Sequence, residues 1–112
     1  MSAQPARVMI VVTAPQDAVA GILDAISRAG GGVIGEYTHC AFVAKGTGMF
    51  KPSAAAQPHV GAKGQINQEP EARIETFCER SAARDVVAAI RDAHPYEEPV
   101  IYIIPLLAED DL

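Results

Sequence analysis

The chain has 112 residues, enough for one domain. A domain of that size buries roughly 65% of its unfolded surface and needs neither disulfides nor a metal to hold a core. The net charge is −5 and the nine lysines and arginines are scattered, which excludes the basic face of a general nucleic-acid binder or of a protein held on an anionic membrane.

About half of the residues are apolar, but tryptophan is absent and aromatics are few, so the core is expected from Val, Ile, Leu and Ala. Cys40 and Cys78 have no CxxC spacing and read as a buried, reduced pair rather than a disulfide. No signal-peptide pattern opens the chain and no apolar run reaches the length of a membrane span, so a cytoplasmic protein is expected. The acidic run Glu109-Asp110-Asp111 reads as a solvated tail.

Met1 to Ala6 is polar, carries Pro5, and is expected to be loose. Arg7 to Thr13 is β-branched and apolar on both faces, the pattern of a strand buried on two sides. Pro15 suits a first helical turn and Asp17 faces the positive end of its dipole. Val19, Ile22, Leu23 and Ile26 then make one apolar stripe, and Gly30 is placed for a left-handed cap.

Val33 to Lys45 reads as a second strand. Cys40, Phe42 and Ala44 lie on one of its faces, and Tyr37, His39, Ala41 and Val43 on the other. Neither face is polar; if helices cover the first, another subunit is the simplest cover for the second. Gly46 to Pro70, about 25 residues with four glycines and three prolines, reads as a loop long enough to be functional or to hold short strands.

Ala72 to Cys78 alternates as a third strand. Ser81 is a natural N-cap for a second helix with Val86, Ile90 and Ala93 on its apolar stripe, and Pro95 ends it. His94 in its last turn is favoured by the dipole when charged. Val100 to Leu107 is the fourth strand. The order β-α-β-β-α-β predicts an α+β, ferredoxin-like domain over residues 1–112 with its core at about 7–107. It has one antiparallel sheet, both helices on one face, and the long loop 46–70 between strands two and three.

Gly35-x-Tyr37-x-x-Cys40-x-Phe42, Gly46-Thr47-Gly48-x-Phe50-x-Pro52, Pro58-x-x-Gly61-x-x-Gly64, Arg73-Ile74-Glu75 and His94-Pro95-Tyr96-Glu97-Glu98-Pro99 occur in series. From about Val8 to Leu106 this series resembles the PII-like domain inserted into YqfO-type members of the Nif-three family (Ngg-one interacting factor three). The last motif also resembles the end of CutA proteins. The resemblance implies a free-standing PII/CutA-like module, a homo-oligomer (a trimer, with a dimer as the alternative) whose sheets face the symmetry axis, and a loop that contacts partners. The two-metal centre of Nif-three proteins lies in flanking domains, so no hydrolase activity is implied. Tyr102 stands where the pattern has an acid, Ile104 where it has a tyrosine, and Ala55-Ala56-Gln57 where a glycine precedes Pro58.

The candidate ligand-binding residues are Tyr37, His39, Gly46, Thr47, Gly48, Phe50, Tyr96 and Glu97. Gly46-Thr47-Gly48 offers backbone N–H groups to an anion with Lys45, Lys51 and Lys63 nearby, or else forms a bulge or tight bend. His94 with Glu97 or Glu98, and His39 across an oligomer face, suit a divalent ion such as zinc or copper, so His39, His94 and Glu98 are the candidate metal ligands. The alternative is structural: Pro95 ends a helix, Tyr96 packs with a wet hydroxyl, and His39 is a hydrogen-bonded interface residue. No nucleophile and base stand at signature spacing, so no catalytic residue is assigned. The expectation is a non-enzymatic oligomeric module for a small ligand or partner protein, with a CutA-like metal binder as the alternative.

Overall fold

The structure is a computed structural model that describes residues 5–112; the first four residues of the segment expected to be loose lie outside it. Its elements are β1 (Arg7–Ala14), α1 (Val19–Arg28), β2 (Phe42–Phe50), β3 (Asn67–Glu79), α2 (Ala83–Ala93) and β4 (Ile101–Leu106). The strands form one antiparallel sheet in the order β2-β3-β1-β4. This is the ferredoxin-like arrangement that the chain order predicts.

Both helices lie on one face. Val8, Ile10, Val12 and Ala14 of β1 and Ala72, Ile74 and Cys78 of β3 meet Val19, Ile22 and Ile26 of α1 and Val86 and Ile90 of α2 in a single buried cluster. Period-2 alternation in the strands and helical spacing in the helices bring these side chains to one layer. Ala93 is not in it: it is exposed, and Val87 and Ala83 border the core instead. Pro15 starts a short 3-10 turn that leads into α1. Gly30 takes φ 97° behind that helix, as a left-handed cap requires. Ser81 makes no capping bond; α2 starts from a second 3-10 turn, Arg80–Ala82. Both cysteines are free thiols, Cys78 buried and Cys40 half-buried. Among the described residues no helix is long and apolar enough to cross a membrane.

The largest departure from the sequence reading is at β2. The strand starts at Phe42, not Val33, and runs through Gly46-Thr47-Gly48 to Phe50. Residues 32–41 form a folded loop instead. Gly32, Gly35 and His39 have φ of 68°, 56° and 59°, which a strand cannot absorb. Ile34 and Tyr37 exchange both backbone hydrogen bonds across a tight turn, and Cys40 N–H closes the loop onto Gly32 O at 2.9 Å. His39 and Cys40 therefore do not alternate across a sheet. The faces of β2 are also corrected: Val43 pairs with Ile74 on the helix side, while Phe42 and Ala44 pair with Glu75 and Arg73 on the open side.

Gly46 and Gly48 pair regularly with Glu71 and Glu69 rather than forming a bulge. β3 starts at Asn67, five positions earlier than the alternation from Ala72 suggests, and the connecting loop shrinks to 51–66. Asn67 to Glu71 pair with β2 alone, because β1 reaches only Ala72. Pro70 is tolerated there because one side of β3 has no neighbouring strand. The result is a two-stranded arm, and the radius of gyration is 15.6 Å, against about 13 Å for a compact domain near this size.

Candidate functional site: the cleft at the base of the arm

The segment after α2 reaches back to β1 and to the arm. His94 leaves the helix in an extended conformation and is only 7% exposed. Its Nε2–H donates to Thr13 O at 2.7 Å, and its Nδ1 accepts from the Tyr96 N–H at 3.1 Å. Both ring nitrogens are engaged, with one as donor and one as acceptor. The Tyr96 ring tilts on His94 with centroids 4.9 Å apart, and its hydroxyl donates to Glu71 Oε2 at 2.9 Å. Glu71 lies under β2, where a Cβ on Gly48 would come within 2.5 Å of its Cγ. Glycine at 48 is needed for that close approach, not for positive φ.

Glu71, which Tyr96 and through it His94 hold from behind, and Gly48 line a cleft of about 270 Å³. Thr13, Lys45, Thr47 and Arg73 line it further. Burial pushes the Glu71 carboxyl above its ordinary 4.5; the Tyr96 hydrogen bond and the nearby His94 oppose that shift, and Glu69 adds to it. Burial, and then the bond to Glu71, raise the Tyr96 phenol, so it stays protonated at neutral pH and remains the donor.

Loop 51–66 leans on the same segment. Gln57 N–H donates to Glu97 Oε1 at 2.8 Å, and His59 lies 6.0 Å from the Tyr96 ring. The loop is also held from within. Asn67 accepts from Ala62 N–H at 3.0 Å and donates to Ala62 O and Gln65 O at 2.9 and 3.0 Å. Lys63 Nζ donates to Ala54 O at 3.1 Å. Gly61, at φ 89°, leaves room for the Phe50 ring.

The fold gathers Gly46, Thr47 and Gly48 at the cleft, ties Tyr96 to its lining residue Glu71, and sets Glu97 and Phe50 against loop 51–66. It does not gather Tyr37 or His39. Tyr37 stands on the tight turn, and His39 bridges Asp24 of α1 at 3.0 Å and Thr38 at 2.9 Å. Glu98 is exposed. The residues present do not fit a metal held by His39, His94 and Glu98. His94 has no free nitrogen, and among the described residues no group of three or more His, Cys, Asp or Glu is placed to hold an ion. Glu71, Thr13 and Arg73 belong to the cleft but escape the sequence reading. The signal that points to Glu71 and Arg73 is the alternation Glu69, Glu71, Arg73, Glu75, which begins inside the expected loop 46–70.

No family model matches the chain. It is 39% identical over 102 residues to the GTP cyclohydrolase 1 type 2 homolog of Halalkalibacterium halodurans, covering 91% of this chain and 27% of that protein. It is 38% identical over 97 residues to the protein of that name in Bacillus subtilis, covering 87% and 26%. The chain thus spans about a quarter of the length of the curated relatives it matches. Among solved structures, a Bacillus cereus protein related to NIF3 superposes with a TM-score of 0.79 at 35% identity, over 94% of this chain and 27% of that one. CutA1 from Shewanella sp. SIB1 superposes with a TM-score of 0.68 at 18% identity, over 95% and 86%, a likeness of fold alone. The chain thus resembles in sequence about a quarter of the NIF3-related protein and of the GTP cyclohydrolase 1 type 2 homologs, and it shares its fold with CutA1.

Proposed function

We propose that the chain is a non-enzymatic, self-assembling CutA-like module that takes a small ligand or a partner protein at the cleft lined by β1, β2 and β3. The observation that carries this reading is the sheet face opposite the helices. Val11 is fully buried yet stands outside the helix-side cluster, while around it Phe42 is 67% and Tyr102 56% exposed and Ile104 is also exposed. The register puts Phe42, Glu75, Val11 and Tyr102 in one row across all four strands. A row in which three of four side chains are apolar or aromatic, two of them exposed, marks a contact surface. The protruding arm supports the same reading, because a two-stranded ribbon is marginal without a further surface to pack on.

A binding role is favoured over a catalytic one because the site's ionisable groups hold one another. His94 spends both nitrogens on backbone, and Tyr96 and Glu71 share a bond. The relatives' description, GTP cyclohydrolase 1 type 2 homolog, is of proteins of which this chain spans about a quarter, and it is not carried to this chain. Native mass spectrometry of the purified protein over a range of concentrations tests the reading. An oligomer, trimeric or dimeric, is expected, with small molecules then screened for added mass. A chain that stays monomeric at the highest concentration would defeat it.

A further inference from the structure

The open sheet face is not uniformly apolar. Arg73 and Glu75 of β3 stand near its middle, two residues apart and therefore on the same face. Arg73 Nε donates to Glu75 Oε2 at 3.0 Å, and the two side chains are half and one-third exposed. That bond engages one of the guanidinium nitrogens and one carboxylate oxygen. Among the described residues the Nη groups of Arg73 and Oε1 of Glu75 have no further partner. Arg73 lies between Ala44 and Thr13, small neighbours that leave the guanidinium uncovered; Glu75 lies between Phe42 and Val11. The Arg7–Glu79 pair at the end of the face differs. It is 3.6 Å apart, its carboxylate is more exposed than that of Glu75, and its guanidinium is spread over the Phe77 ring.

We infer that Arg73 and Glu75 fix the register of the contact between two copies of this chain, the free Nη groups of one copy meeting the Glu75 carboxylate of the next. This rests on the self-assembly proposed above and adds the residues that orient it. The apolar row supplies attraction without direction. An exposed pair within one chain contributes little, whereas the same charges enclosed by an interface penalise every misaligned approach. The patch is self-complementary: each copy carries one donor fork and one acceptor. Because Arg73 also lines the cleft, the contact would close one of its walls with a second copy.

The test uses two charge-reversed full-length chains, Arg73→Glu and Glu75→Arg. The first carries two acids at these positions and the second two bases. Each alone is expected to self-associate at least ~30-fold more weakly than wild type, as for a charge buried against its like. Mixed, the two chains differ in mass, and native mass spectrometry is expected to show oligomers holding both in excess of either alone. Circular dichroism checks folding, and Glu75→Gln, which keeps the shape and removes the charge, is expected to weaken association without being rescued by mixing. If wild type assembles and the reversed chains mix no better with each other than with themselves, the pair acts within one chain and this inference is overturned. If wild type itself is monomeric, the self-assembly reading falls with it.

Discussion

At the scale of single residues, the site is set by what each polar atom already holds. His94 looks like a ligand in sequence, yet its ring joins the end of β1 to the segment after α2. Tyr96 and Glu71 carry the titratable behaviour. Burial raises the Glu71 carboxyl in the folded chain above its ordinary 4.5. A group raised on folding favours the folded state most at low pH, and that contribution is lost as pH rises through the folded value. Glu71→Gln keeps an acceptor for the Tyr96 hydroxyl and removes the titration. The variant is therefore expected to lose less stability than wild type between pH 4.5 and neutrality. Thermal unfolding across that range measures it, and parallel curves would show that Glu71 is not the group responsible.

At the scale of elements, the arm and its loop are separable from the core. Phe50 pairs with Asn67 at the arm's tip, and residues 51–66 hang from that pair. The loop touches the rest through Gln57 to Glu97 and His59 against Tyr96. Replacing 51–66 by Asn-Gly, which suits a two-residue hairpin, is expected to leave sheet and assembly intact and to abolish ligand or partner binding at the cleft. Circular dichroism with native mass spectrometry reads the first expectation, and a binding screen against wild type reads the second. Loss of the fold would mean that the loop is part of the core. Asn67 shows how the loop holds its shape without apolar side chains: one buried amide satisfies backbone groups at Ala62 and Gln65.

At the scale of the whole molecule, one sheet face meets helices and the other meets solvent over an apolar row. Ile104 lies on the open face opposite Met9, away from the cluster under the helices. Ile104→Lys is expected to leave the monomer folded, with a melting temperature within a few degrees of wild type at matched monomer concentration. It is expected to weaken self-association by ~10-fold or more, since a charge enters an apolar contact. Analytical ultracentrifugation checks it; unchanged association would place the contact elsewhere on the molecule.

The sequence alone determines the order of elements, the helix-side core and the fold class. These follow from local periodicity: Val8, Ile10 and Val12 alternate, Val19, Ile22 and Ile26 recur at helical spacing, and Gly30 and Pro95 punctuate. It misplaces β2, since Val33 to Ala41 carries strand-like side chains but turns at Gly32, Gly35 and His39. Backbone closure by Cys40 onto Gly32, and by the Thr76 hydroxyl onto Cys40 O, overrides that local preference. It also reads Gly46-Thr47-Gly48 and Asn67 to Pro70 as loop. Glycine, proline and acids are poor strand formers, and only their pairing with each other makes them an arm. The cleft is decided wholly in three dimensions. Thr13, Gly48 and Glu71 line it from three separate stretches, and no spacing along the chain records that the Tyr96 hydroxyl ends on Glu71 or that both His94 nitrogens are spent.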